Sequence, residues 1–155
     1  MYHTKKSLAV AIAFALAACG TTQSPPANPQ GVVNERVAIM KSFVGALTAS
    51  AQYAQGKGTA QDAKTKLTAA RTGVDRLQTL FPPGTALGDR GVTQSRALST
   101  IFASRPDFDA KRATLADALA GLDASLAQKT NAAKQIPIVK NACLACHSKY
   151  RSADE

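Results

Sequence analysis

Near the carboxyl end the chain reads CLACH, residues 143 to 147, two thiols and an imidazole within five positions. Three chemistries use such a set: metal binding, thiol–disulfide exchange and covalent attachment of haem. A structural zinc site needs four ligands. A redox-active Cys-x-x-Cys pair wants a strand–helix–strand setting and a helix amino terminus to lower the thiol pKa. A plain disulfide would leave the adjacent histidine unexplained. The chain holds only three cysteines, two histidines and two methionines, so the choice depends on which survive in the exported protein.

The first residues, MYHTKKSLAVAIAFALAACG, read as an export signal. Lys5 and Lys6 form a positive start, and Leu8 to Ala18 is an unbroken apolar run. A membrane-spanning helix needs roughly 20 apolar residues, so this run suits a signal-peptide core. It ends in LAAC, which resembles a bacterial lipoprotein box. That resemblance implies cleavage before Cys19 and lipid attachment to Cys19, with residues 1–18 as signal peptide. The alternative is an ordinary secretory signal, with Cys19 lost or left free. Both export the protein. The stretch GTTQSPPANPQG cannot build a core, and residues 19–31 read as a flexible tether holding a domain off a membrane. Gly20, by analogy with lipoprotein sorting, points to the outer membrane on the periplasmic side of the envelope.

With the signal removed, His3 and Met1 are gone and Cys19 is assigned to lipid. The remaining domain has Cys143, Cys146 and His147 as one cluster and Met40 as its single thioether. Three ligands do not make a structural zinc site. Haem attachment accounts for all three residues: two thioethers across the vinyl groups, and the following imidazole on the iron.

The 155-residue chain suffices for one domain, residues 32–155. Alanine is abundant, tryptophan absent, and no strand-like alternation occurs, which favours helices. Val33, Val37, Met40, Val44, Leu47, Ala51 and Ala54 step by four and three, one face of a first helix that QGKG ends. Ala63, Leu67, Ala70, Val74, Leu77 and Phe81 make a second, stopped by PPG. A third segment starts near Val92, with Ala97 and Ile101 inward. It is kinked or restarted at Pro106 and continues through Phe108, Leu115, Leu119, Leu122 and Leu126. The fourth carries Ile136, Val139, Cys143, Cys146 and Tyr150, and Pro137 predicts that it starts or bends there. The expected fold is all-α, an antiparallel up-and-down four-helix bundle. No glycine-rich phosphate loop, internal repeat or Ser-His-acid set is present, so no enzyme is expected.

Residues 19–155 carry 17 basic against 10 acidic residues, a formal +7, scattered without basic runs or interleaved aromatics. That distribution suits a solvated surface able to steer an anionic redox partner protein, and no nucleic acid is expected.

The attachment motif at the end of a four-helix pattern, with the methionine far upstream, resembles the cytochrome c′ family, class II of the c-type cytochromes. NERVAIMKSF is similar to its first-helix pattern, LFPPGT to its second-helix ending, ALSTIF to its isoleucine-tryptophan region, and CLACHSKYR to its attachment motif. The resemblance covers residues 32–151. Ser99 stands where a proline is common, Phe102 where a tryptophan is, and Pro137 also departs from the pattern. The resemblance implies one covalent haem c on Cys143 and Cys146, with His147 as proximal iron ligand. It implies Arg36 beside a haem propionate and Arg151 in the proximal pocket. Met40 takes the distal position. As an iron ligand it would make the protein a membrane-tethered electron carrier, the expected function. As an apolar lid it would leave five-coordinate iron for nitric oxide or another small gas, the alternative. A haem-free lipoprotein bundle with a structural disulfide is the third reading. Relatives often dimerise through their first two helices, so a homodimer is among the implied assemblies.

Overall fold

The structure is a computed structural model that describes residues 24–153. The expected signal peptide, residues 1–18, and Cys19 lie outside the described residues. Helix α1 spans Pro29–Ala54, α2 Ala60–Arg76, α3 Thr100–Ala103, α4 Arg105–Ser125 and α5 Lys129–Tyr150. α1 packs against α2 and α5, and α4 packs against the same two. The four long helices thus close a ring, the expected all-α, up-and-down four-helix bundle. Among the described residues no helix is long and apolar enough to cross a membrane.

Local signals set the ends. Asn28 caps α1 by accepting a hydrogen bond from Gly31 N (2.9 Å), with Pro29 as the first helical residue, where its missing N–H costs nothing. The helix therefore takes up residues 29–31, ahead of the boundary read at Val32. Thr59 caps α2 through Asp62 N (3.1 Å). α2 runs into a 3-10 turn at Leu77–Thr79.

α2 and α4 carry their sequence stripes straight into the core. Ala63, Leu67, Ala70, Val74, Leu77 and Phe81 are all buried, as are Ile101, Phe108, Leu115, Leu119, Leu122 and Leu126. At Gly73 a Cβ would stand 2.9 Å from Ile39 Cγ2, so α1 and α2 approach closely only because this position has no side chain.

Two expectations are corrected in part. The third segment does not begin near Val92: residues 80–99 form a long connection, and α4 restarts with Pro106 in its first turn. The last helix does not start at Pro137 but at Lys129, eight residues earlier, with Pro137 inside it. An interior proline removes the bond to the carbonyl four residues back and costs about 3 kcal/mol. Ala133 and Pro137 are both exposed, so water can serve that carbonyl, while Ala132, Ile136, Val139 and Ala142 bury the opposite side. Packing outweighs the local defect.

The long connection is tied to the first and the last helix at one end of the bundle. Thr93 N donates to Gln30 Oε1 (2.8 Å) at the start of α1. Leu98 N donates to Tyr150 O (2.9 Å), Ser152 N to Arg96 O (2.8 Å), and Ala97 forms an antiparallel bridge with Arg151 beyond α5.

Candidate functional site

The last two turns of α5 place Cys143, Cys146 and His147 on a cavity of about 720 Å³, within the range of roughly 300–1,000 Å³ typical of small-molecule and cofactor sites. Positions three and four apart share a helix side, so one element orients all three groups. Facing them, α1 contributes Val33, Arg36, Val37, Met40, Val44 and Leu47. Leu77, Phe81, Ile101, Phe108 and Leu115 also line the cavity, and residues 94–97 of the connection complete it.

The α1 stripe read from the sequence is split. Val37 and Val44 are 39% and 64% exposed, and Met40 and Leu47 are half-buried, while the core takes Val33, Arg36, Phe43, Ala46, Ala49 and Ser50. α1 has two faces to cover, one against the bundle and one against the cavity. On α5, Leu144 stands at the same cavity, 64% exposed. These apolar side chains are what a flat apolar ligand would cover.

The titrating groups fit the same use. Burial pushes both thiols up, Cys146 to about 11, so at neutral pH they are protonated. Neither is a low-pKa redox thiolate. Both cysteines are free in the structure, without the disulfide of the third reading. Burial, then the positive charges of Arg151 and Arg96, hold His147 below its ordinary value, so its imidazole is neutral, the form that can ligate a metal. Among the described residues no three Cys, His, Asp or Glu side chains gather as a metal-ion cluster.

Seven basic side chains line the cavity, Arg36, Lys41, Arg96, Lys111, Arg112, Lys140 and Arg151, and no acidic one does. Apolar walls with a basic lining suit a large planar ligand bearing carboxylates. Arg36 differs from the others because it is 5% exposed. Its Nη1 donates to Leu80 O (3.2 Å) and Thr85 Oγ1 (3.4 Å), and its Nη2 to Thr85 O (3.0 Å) and Ser95 Oγ (2.8 Å). Four of the five guanidinium donors are thereby spent on the connection, leaving Nε–H. Desolvation lowers its pKa to about 10, still cationic at neutral pH. The guanidinium also lies 4.4 Å from the Phe81 ring centroid. Phe81 meets Phe108 edge-on at 4.7 Å, and Phe108 meets Tyr150 at 5.4 Å, an aromatic row along the cavity that joins the second, fourth and fifth helical regions. Tyr150 OH donates to Asp107 Oδ2, which also accepts from Lys149 Nζ (3.0 Å).

The structure thus brings Cys143, Cys146, His147, Arg36, Met40 and Arg151 to one cavity. Sequence periodicity did not reveal Ser95 and Thr85 as partners of Arg36, nor the basic lining from Lys41, Lys111, Arg112 and Lys140. An arginine set among the apolar positions Val33, Val37 and Met40 was the only sequence signal for the former.

Residues 31–151 match the family described as Cytochrome C'. The chain belongs to the cytochrome c′ family. Solved structures agree in fold. Cytochrome c' from Rhodobacter Spheriodes is 24% identical, with a TM-score of 0.72 over 83% of this chain and 100% of that one. The protein from Thermochromatium tepidum is 21% identical, with a TM-score of 0.72 over 84% and 100%. A mutant cytochrome c prime from Alcaligenes xylosoxidans, in complex with nitric oxide, is 20% identical, with a TM-score of 0.69 over 83% and 99%. No individually curated protein matches the chain. As a cytochrome c′ family member with a Cys-x-x-Cys-His motif, the protein is a haem c protein and not an enzyme. The cavity's donors, size and charge fit that group.

Proposed function

We propose that the protein binds a small gas, nitric oxide foremost, at haem iron held by His147, with Cys143 and Cys146 as the two thioether attachments. Bound haem supplies an iron centre that takes a diatomic ligand or an electron. The observation that carries the gas reading is the α1 wall. Met40 packs against the hydrophobic core beside Val37, Val44 and Leu47, so the distal side is a close aliphatic lid. These four apolar side chains carry no hydrogen-bond donor, so a polar ligand finds no partner among them. The nitric oxide complex of a similarly folded relative supports the same reading. His147, neutral and fixed by the end of α5, holds the iron from the opposite helix. Arg36 places a fixed positive charge, with its remaining Nε–H, near a propionate, and Arg151 adds charge beside His147.

Electron transfer with Met40 as sixth ligand is the second reading, favoured by the presence of this single thioether on the cavity wall. An optical spectrum separates the two. The gas reading expects high-spin haem at neutral pH, and Met40→Ala then leaves the spin state unchanged while carbon monoxide binds faster. A low-spin oxidised form, with a near-infrared sulfur-to-iron band that Met40→Ala abolishes, would establish the electron carrier instead.

The lysine-led apolar start and LAAC support a lipid anchor at Cys19 on the periplasmic side, with the outer membrane as its place.

A further inference from the structure

The described chain enters the bundle at Ser24, and the first feature it meets is the connection between α2 and α4. A Cβ on Gly84 would stand 2.9 Å from Pro25 Cβ, and one on Gly91 would stand 3.3 Å from Pro29 Cγ. Between these glycines lie two successive β-turns. Asp89 N donates to Ala86 O (3.2 Å), and Val92 N donates to Asp89 O (3.1 Å). Gly88 (φ 84°) and Gly91 (φ 77°) take the third turn positions, where a positive φ is needed. The second positions, which project outward, are Leu87 and Arg90. Leu87 is 54% exposed and Arg90 is exposed. Asp89 is turned inward, its Oδ2 accepting from Ala86 N (2.7 Å). The tip therefore presents one large apolar and one cationic side chain.

We propose that these turns, residues 86–92 with Leu87 and Arg90 at their tips, are the face by which the domain rests on a phospholipid bilayer. The inference builds on lipid attachment at Cys19. Five residue steps separate Cys19 from Ser24. Fully extended, they reach at most about 18 Å. The opposite end of the bundle lies a whole α1 away, about 39 Å at 1.5 Å per residue. A short tether joined beside the turns holds this end to the lipid and keeps the far end off it. Leucine enters the headgroup–acyl boundary, and the guanidinium pairs with lipid phosphate. The cavity opens near the same end: Leu87 N donates to Ala97 O (2.7 Å), and Ala97 bridges Arg151, just past His147. Gas released within or near the membrane would meet the site first.

The test uses haem-loaded, lipidated mature protein in vesicles of neutral and of anionic phospholipid, with Cys19→Ser holoprotein in solution as reference. Flotation with the vesicles reports the anchor. Amide exchange reports the face: residues 86–92 are expected to slow by about threefold or more, with residues 55–58 unchanged. Leu87→Ser with Arg90→Glu should float as well but lose the slowing. A floating protein whose 86–92 amides exchange as in solution would overturn the proposal and leave the anchor standing. Slowing at 55–58 instead would overturn it, as would equal slowing of the Cys19→Ser protein at high concentration, which would assign the turns to a second copy. Failure to float would reject the anchor and this face together.

Discussion

The α2–α4 half of the bundle and the α1–α5 half are built from similar apolar spacings, yet they behave differently. In α2 and α4 every stripe residue is buried, Phe108 and Leu115 at the edge of the cavity included. In α1 and α5 the stripe divides: part joins the core, and Val37, Val44 and Leu144 remain exposed at the cavity. The first half keeps its whole stripe under cover. The second presents apolar side chains that a covalently bound planar cofactor can cover.

The largest test of that contrast is removal of the attachment. Cys143→Ala with Cys146→Ala should abolish haem staining on denaturing gels, because residues 24–153 contain no other cysteine. A stained band from the double variant would break the assignment of the open half as the haem side.

Truncation on each side sharpens the comparison. Leu67→Ala in the closed half should cost about 2–5 kcal/mol in denaturant unfolding, with the haem spectrum intact. Val44→Ala, exposed on the cavity wall, should change the stability of haem-free protein by no more than about 0.5 kcal/mol. In the haem-loaded protein its cost should grow. Equal costs with and without haem would show that the exposed stripe does not serve the cofactor.

Arg36 belongs to both halves. Lysine in its place keeps the charge but cannot meet four acceptors in the same fork geometry. Arg36→Lys should cost about 1–3 kcal/mol through buried acceptors left unpaired. Amide exchange in residues 80–97 should rise while haem staining persists. Unchanged exchange there would remove Arg36 as the fastening of the connection.

The smallest effect concerns acid. Tyr150, then Lys149, hydrogen-bonds the Asp107 carboxylate and holds its pKa below the ordinary value. A group depressed in the folded state stabilises it above the unfolded pKa, near 4, and loses that contribution as pH falls through the folded pKa. Asp107→Asn should therefore flatten the stability profile below about pH 4 and leave the Leu67 region untouched. An unchanged acid limb in a urea series across pH would show that the carboxylate adds nothing.

Much of this protein could be read from local spacing. Cys143, Cys146 and His147 lie within about one and a quarter turns of one helix, so their chemistry is decided by covalent distance alone. The four-three periodicity likewise gives the number of long helices and the buried residues of α2 and α4, because each of these helices hides a single apolar stripe. Pro106, read as a kink or a restart, lies in the first turn of α4. Periodicity alone could not tell which of two neighbouring stripes on α1 faces the core and which faces the cavity, since both are apolar. Nor could it foresee that α5 would carry Pro137 in its interior, where distant packing outweighs a local loss. The acceptors of Arg36 lie 44 to 59 residues away in sequence. Only the folded connection brings Leu80, Thr85 and Ser95 around one guanidinium, and only it sets the turns at Gly88 and Gly91 beside the point where the chain enters. Short-range covalent geometry determines the chemical groups and the helices; long-range packing and hydrogen-bond satisfaction decide which way each face points.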